Sequence, residues 1–187
     1  MKNILYVCAL TFSMGVSAQS NTELVKHFEA YYKQMRTQGD TQGVINAITH
    51  LNILKPLEAE KDTLAYIYLN EGQFNQALNT IGFEQKVNDS DIALEVKAVA
   101  LKSLEQIELA LPFYQTIYNK TKNPVVAYEI AEIFLQLNKL VEAKQYIAFG
   151  LDNATEKQGK AFYETQQPYQ VPLKAAFLYL GCLVEVQ

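Results

Sequence analysis

The sequence predicts an all-α protein, an α-solenoid of antiparallel helix pairs with a short non-helical insertion near the C-terminus. Three observations predict it. A single register of 33 residues runs through four successive units. Within each unit two amphipathic stretches are separated by small or polar residues suited to a helix end. Small and large apolar residues also keep their places from unit to unit, which chance would scramble independently.

The register is read from Gly72, where steps of 33 reach Gly39, Glu105 and Asn138. In the second helix of each unit, Ala77 is matched by Val44, Ala110 and Ala143, Phe74 by Thr41, Ile107 and Leu140, and Ile81 by Ile48, Tyr114 and Ile147. In the first helix, Ala65 is matched by Tyr32, Ala98 and Ala131, and Tyr68 by Met35, Leu101 and Phe134. The alanines carry the packing argument. With only a methyl at Ala65 and Ala77 two helices can approach closely, and Tyr68 and Phe74 can fill the space beside them. The periodicity therefore places helices near 22–37, 41–54, 57–70, 74–84, 91–103, 107–121, 124–137 and 140–152. Pro112 falls early in its helix, where a missing amide hydrogen costs least. The run Asn88, Asp89, Ser90, Asp91 has the composition of a calcium-loop fragment, but it directly precedes an apolar-periodic segment and reads as a helix cap.

These residues resemble the tetratricopeptide repeat family, whose unit is a helix, a tight turn and a second antiparallel helix. The resemblance is carried by "LAYIYLNEGQFNQAL" and more loosely by "KAVALKSLEQIELAL" and "IAEIFLQLNKLVEAK", with Pro56 closing the first unit. It covers residues 22 to about 152, as four repeats at about 22–56, 57–89, 90–122 and 123–153. The step is 33 rather than the commoner 34, and tryptophan is absent from the first helices. Ankyrin repeats share the step, but their T-P-L-H-x-A signature is missing and the helices here are too long.

Beyond Asn153 the register fails. Residues 154–171 are rich in glutamine and hold Phe162, Tyr163 and Tyr169 around Gln167 and Pro168, a pattern suited to a small extended hairpin or ordered loop. Residues 172–187 then resume helical spacing, with Phe177, Leu180, Gly181 and Val184 fitting the first helix of a further repeat. That helix is apolar on several sides. Its cover is expected from a longer stretch of repeat, from another chain, or from the insertion folding back, the first being favoured.

Composition narrows the function. Hydrophobic residues make up 49% and charged residues 19% of 187 positions, enough apolar material to exclude disorder. The net charge is −4 and no basic arm occurs, so nucleic acid is not an expected partner. Residues 1–18 read as a secretory signal peptide: Lys2, an apolar run from Ile4 to Val16, then Ser17 and Ala18 before a cut ahead of Gln19. The run is too short for a bilayer span, and Cys8 lies too early for a lipid-modified cysteine. The expected mature chain is exported to periplasm or medium, holds no integral membrane span, and keeps only Cys182, leaving no internal disulfide.

No catalytic signature appears. His27 and His50 stand 23 residues apart without an H-E-x-x-H or a cysteine pair, and neither a G-x-S-x-G elbow nor a phosphate loop exists. The expectation is a non-enzyme without cofactor or metal. What the resemblance implies instead is a scaffold that binds a protein or peptide in a concave groove lined by the outward side of each first helix. In this register the wall presents Glu29, Lys33 and Arg36, then Asp62, Tyr66 and Asn70. It continues with Glu95, Val99 and Lys102, then Tyr128, Glu132 and Gln136. Mixed charge with tyrosine suits an extended peptide. The carboxylate clamp of some family members does not fit, since Tyr66 and Val99 stand where an amide is needed and Glu132 would repel a carboxylate. An alternative reading is a structural subunit that assembles through the terminal helix at Phe177 and Leu180, while Phe162, Tyr163 and Tyr169 read either as part of a plain insertion over the array or as an aromatic contact loop at the edge of the groove. A third, weaker, is chemistry by Glu164 and Tyr163. Mass and N-terminal sequence of the chain recovered from a host envelope fraction are expected to give Gln19 as the first residue; retention of Met1 would contradict the signal.

Overall fold

A computed structural model describes residues 20–162 and 169–186. The helices α1 (Asn21–Gln38) and α2 (Thr41–Leu54), α3 (Glu58–Asn70) and α4 (Phe74–Ile81), α5 (Asp91–Ser103) and α6 (Ile107–Thr121), and α7 (Pro124–Gln136) and α8 (Leu140–Asn153) follow one another as pairs. A hairpin of β1 (Gly159–Phe162) and β2 (Tyr169–Pro172) precedes a last helix, α9 (Leu173–Val186). The fold is the all-α solenoid of helix pairs that the periodicity predicts. The chain divides into two compact units, Met1–Leu64 and Ala65–Gln187. Residues 1–18, the expected signal, lie outside the described residues.

One turn is built four times. Gly39, Gly72, Glu105 and Asn138 have φ of 71°, 70°, 60° and 55°, so every helix-to-helix connection inside a pair passes through the left-handed region at the same register position. The next residue closes the turn each time. The amide of Asp40 donates to the Met35 carbonyl at 3.0 Å, Gln73 to Tyr68 at 2.8 Å, Gln106 to Leu101 at 2.9 Å and Lys139 to Phe134 at 2.8 Å. This six-to-one bond is the Schellman closure, which satisfies carbonyls left over at the end of one helix while turning the chain into the next. Glycine makes the left-handed residue free of strain in the first two turns, whereas Glu105 adopts it with a side chain, at a cost of roughly 1–2 kcal/mol.

The same register appears in burial. Ala65, Ala98 and Ala131 on the first helices, and Ala77, Ala110 and Ala143 on the second, are all at 0% exposure. Ile48, Ile81, Tyr114 and Ile147 are buried in turn. Other caps are local and conventional: Ser20 and Glu23 form a capping box on α1, Asp40 caps α2, and Asn123 caps α7 ahead of Pro124. Helix α4 ends at Ile81 rather than the expected 84. Gly82, at φ 82° and ψ 163°, takes a conformation open essentially to glycine alone and turns the chain out of the helix.

The connection between the second and third pairs is held by charge. Lys97 on α5 is fully buried, and its Nζ donates to both Asp89 carboxylate oxygens at 2.6 and 2.8 Å and to the Glu84 carbonyl at 2.8 Å. All three ammonium protons are therefore used, the condition under which a buried charge is tolerable. Ser90 caps α5 by accepting from the Ala93 amide at 3.0 Å, so this run serves as a helix cap and a lysine counter-ion.

At the C-terminal end the insertion is a hairpin, with Gly159 opposite Pro172 and Phe162 opposite Tyr169 in antiparallel register. Helix α9 packs on α8 and α7 and touches both strands. Its inner face of Leu173, Ala176, Phe177, Leu180 and Val184 is buried. Gly150 of α8 makes room for it: a Cβ there would stand 2.0–2.3 Å from the Phe177 ring. The sequence expectation that Phe177 and Leu180 form an open contact surface is thus corrected, because α7 and α8 cover them. The outer face is the open one, with Leu178 at 56% and Tyr179 at 61% exposure.

The shared turn predicts opposite signs for two substitutions in urea-induced unfolding. Gly72→Ala is expected to lower stability by about 1 kcal/mol, and Glu105→Gly to raise it by up to about 1 kcal/mol. A loss in both would contradict a common left-handed position.

Candidate functional site

In the unit Ala65–Gln187 a groove of about 760 Å³ opens between α5, α6 and α7, with one side chain added from β1. Its floor is apolar, formed by Ala98 and Val99 of α5, Ile117 of α6 and Val125 and Val126 of α7. Charges stand along its edges. Asp91 pairs with Lys120 at 3.0 Å, both well exposed, and Glu95 makes no ion pair among the described residues. The volume is in the range of ligand pockets, and the mixture of apolar floor and sparse polar edge is what an anchoring site for a side chain requires.

At one end lies a compact charge network. Lys102 of α5 donates to Glu129 and Glu132 of α7, and Lys160 of β1 donates to the other oxygen of Glu129. Lys160 also stands over the Tyr128 ring, 5.0 Å from its centroid, while Phe177 meets the same ring edge-on at 5.4 Å. Burial alone would push the Glu129 carboxyl up, but the Lys102 and Lys160 ammonium groups outweigh it and hold the acid below its ordinary value of 4.5. Burial likewise would lower Lys102, and Glu129 with Glu132 more than reverses this, raising it above 10.5. Tyr114 is pushed up by burial first and by the nearby carboxylates second, so it lines the groove as a neutral phenol.

In the unit Met1–Leu64 a smaller groove of about 300 Å³ is lined by Glu29, Tyr32, Lys33, Ile48, Leu51, Glu60 and Thr63. Moved by two steps of 33, these become Glu95, Ala98, Val99, Tyr114, Ile117, Val126 and Glu129, and every one of them lines the larger groove. The site is therefore a property of the repeat. It lies where the first and second helices of one pair meet the first helix of the next.

The predicted wall is brought together in part. Glu29 and Lys33 line the smaller groove, and Glu95, Val99 and Lys102 the larger. Glu132 is engaged by Lys102 beside it. Arg36, Tyr66, Asn70 and Gln136 are exposed but line neither groove, and Asp62 is buried. Tyr128, expected on the open wall, is 1% exposed because Lys160 and Phe177 cover it. The backbones of Phe162 and Tyr169 pair in the hairpin, while Tyr163 and Glu164 lie outside the described residues. His27 and His50 are exposed, with His50 stacked on Phe28 at 4.4 Å. Among the described residues no group of three His, Cys, Asp or Glu is arranged to hold a metal ion, and no helix is long and apolar enough to cross a membrane. Reading the wall from first helices alone misses Tyr114 and Ile117, which come from the second helix, and Lys160, which sits outside the register.

The sign of the pH dependence follows from the network. The contribution of Glu129 is complete above its unfolded value and is lost as pH falls through its depressed folded value. That of Lys102 is complete below 10.5 and is lost as pH rises through its elevated folded value. Glu129→Gln, which takes the carboxylate from Lys160 and leaves Lys102 with Glu132 alone, both ammonium groups being 18% exposed, is expected to cost roughly 2–3 kcal/mol at neutral pH and to flatten the loss of stability in acid. An unchanged acid limb in denaturant titrations would contradict the assignment.

No protein-family model matches the sequence, and no curated protein matches it. Solved structures do. The fold is similar to a crystal structure of MamA protein at 15% identity and TM-score 0.57, covering 70% of this chain and 73% of that one. A MamA RS-1 ArsTM double mutant matches at 14% identity and TM-score 0.58, over 72% and 76% of the two chains. MamA 41-end from Desulfovibrio magneticus RS-1 matches at 14% and 0.59, over 72% and 77%. The likeness is one of fold: stacked helix pairs.

Proposed function

We propose that this chain is an exported tetratricopeptide repeat scaffold, non-catalytic, that binds a protein or peptide segment in its grooves. The observation that carries the reading is the recurrence of one groove at the same register position in two places, each with an apolar base and charged edge. Each groove can take one side chain of a bound segment as an anchor while its charged edge fixes direction. The fold likeness to MamA supports the architecture of stacked helix pairs, and the layout of residues 1–18 supports export.

The open outer face of α9, with Leu178, Tyr179 and Leu183, favours a second reading in which the chain also assembles with itself or a partner there. The residues that test it are these rather than Phe177 and Leu180, which belong to the core.

Partner capture from an envelope extract with the mature chain distinguishes the grooves from other surfaces. Val99→Asp in the larger groove is expected to weaken capture by about tenfold or more, whereas Leu109→Asp on the exposed side of α6 leaves it unchanged. Equal capture by both folded variants would overturn the groove as the binding surface.

A further inference from the structure

We propose that the larger groove, in the unit Ala65–Gln187, is a receptor for a basic side chain of the bound segment, arginine above all, with Glu95 and the Tyr114 hydroxyl as its partners; this rests on the scaffold reading above. Two observations carry it. The first is one carboxylate left over. Of the charged residues that line the groove, Asp91 is paired with Lys120, and Lys102 and Lys160 are both paired with Glu129. Glu95 alone is exposed on the groove with no ion pair among the described residues. The second is an unpartnered phenol. Tyr114 of α6 is only 6% exposed, and its hydroxyl makes no hydrogen bond among the described residues. Asn52 Oδ1 and Glu60 Oε2 are sealed without a partner; the Tyr114 hydroxyl is not sealed with them, so it is reached from the groove that Tyr114 lines.

What covers the groove must serve both groups. A segment seated on Val99, Ile117 and Val126 takes water from Glu95 and from the phenol, and a carboxylate or hydroxyl that loses water without gaining a partner is costly. A purely apolar side chain strands the two of them. An acidic one brings no donor and finds no free ammonium, because Glu129 and Glu132 already hold Lys102, and Glu129 holds Lys160. A metal ion lacks ligands, since no group of three His, Cys, Asp or Glu is arranged for one among the described residues. A basic side chain answers each demand: its methylene stem lies on the apolar floor and its head brings donors to the carboxylate and to the phenol oxygen. Arginine suits best, because a planar guanidinium with five N–H groups can serve both at once. After burial and the Glu129 and Glu132 carboxylates, Glu95 adds to the influences that keep the phenol protonated, so the hydroxyl stays neutral beside the cation.

The repeat separates what is common to the grooves from what is special to this one. Two steps of 33 back, Glu29 holds the place of Glu95 in the smaller groove, while Ile48 holds that of Tyr114. The acid recurs with the groove and the phenol does not. Only the larger groove has both partners, and the preference for arginine belongs there.

The test uses the full mature chain, isotopically labelled, titrated with short synthetic peptides that share a leucine and serine frame and differ only in carrying arginine, glutamine or glutamate. The arginine peptide is expected to shift the amide resonances of Glu95, Val99 and Tyr114 saturably, with about tenfold weaker binding of the glutamine peptide and none of the glutamate one. Glu95→Gln, at an exposed and unpaired position, is expected to leave the melting temperature unchanged and to abolish the preference for arginine. Tyr114→Phe, which deletes an unpartnered hydroxyl, is expected to keep or raise the melting temperature while weakening the arginine peptide several-fold. Equal affinity for arginine and glutamine peptides, or an unchanged arginine preference in folded Glu95→Gln, overturns the receptor; undiminished arginine affinity in folded Tyr114→Phe overturns the part given to the hydroxyl. Shifts confined to Glu29, Lys33 and Thr63 overturn the receptor while leaving the scaffold reading intact. Silence at both grooves also overturns it, and the scaffold reading is then decided separately by partner capture with Val99→Asp.

Discussion

The structure depends on one constraint: at six positions where helices approach within a pair, the side chain is a methyl group. Ala65, Ala98 and Ala131 on first helices and Ala77, Ala110 and Ala143 on second helices are sealed from solvent. Closely approaching helices leave no room for larger groups there, and overpacking such a site costs about 1–3 kcal/mol. The left-handed turn after each first helix complements this. It reverses the chain at the same register position in all four pairs, and in the last three the alanines of both helices are buried. Spacing and turn together convert a 33-residue sequence period into a spatial one.

That period is also why a groove recurs. A hollow at the meeting of three helices is the residue of packing unlike shapes, and repeating the packing repeats the hollow. What differs between copies is the chemistry of the side chains that line it. One is lined by Glu29, Glu60, Ile48 and Leu51; in the other the same four places hold Glu95, Val126, Tyr114 and Ile117. A scaffold of this design keeps its backbone constant and writes its selectivity in a few positions of each unit.

Much of this was legible in the residues. Helix positions agree with the periodicity to within a residue or so except at α4, where Gly82 ends the helix early through its own backbone freedom. The turn at Glu105 was legible as a place though not as a conformation, because nothing in a glutamate announces a positive φ. The candidate site was legible only in part. Long-range partners were the missing quantity: the Lys102–Glu129–Lys160 network and the covering of Tyr128 by Phe177 join residues far apart in the register or outside it. A period can say which positions are equivalent. It cannot say which of them an insertion will cover.

The central claim, one unit of paired helices repeated in register, is tested most directly by proton contacts between alanine methyl groups in a selectively methyl-labelled chain. The account predicts cross-peaks pairing Ala65 with Ala77, Ala98 with Ala110, and Ala131 with Ala143, at similar intensity. Absence of these pairs, or alanines that each report a different set of neighbours, would contradict the repeat and the grooves derived from it.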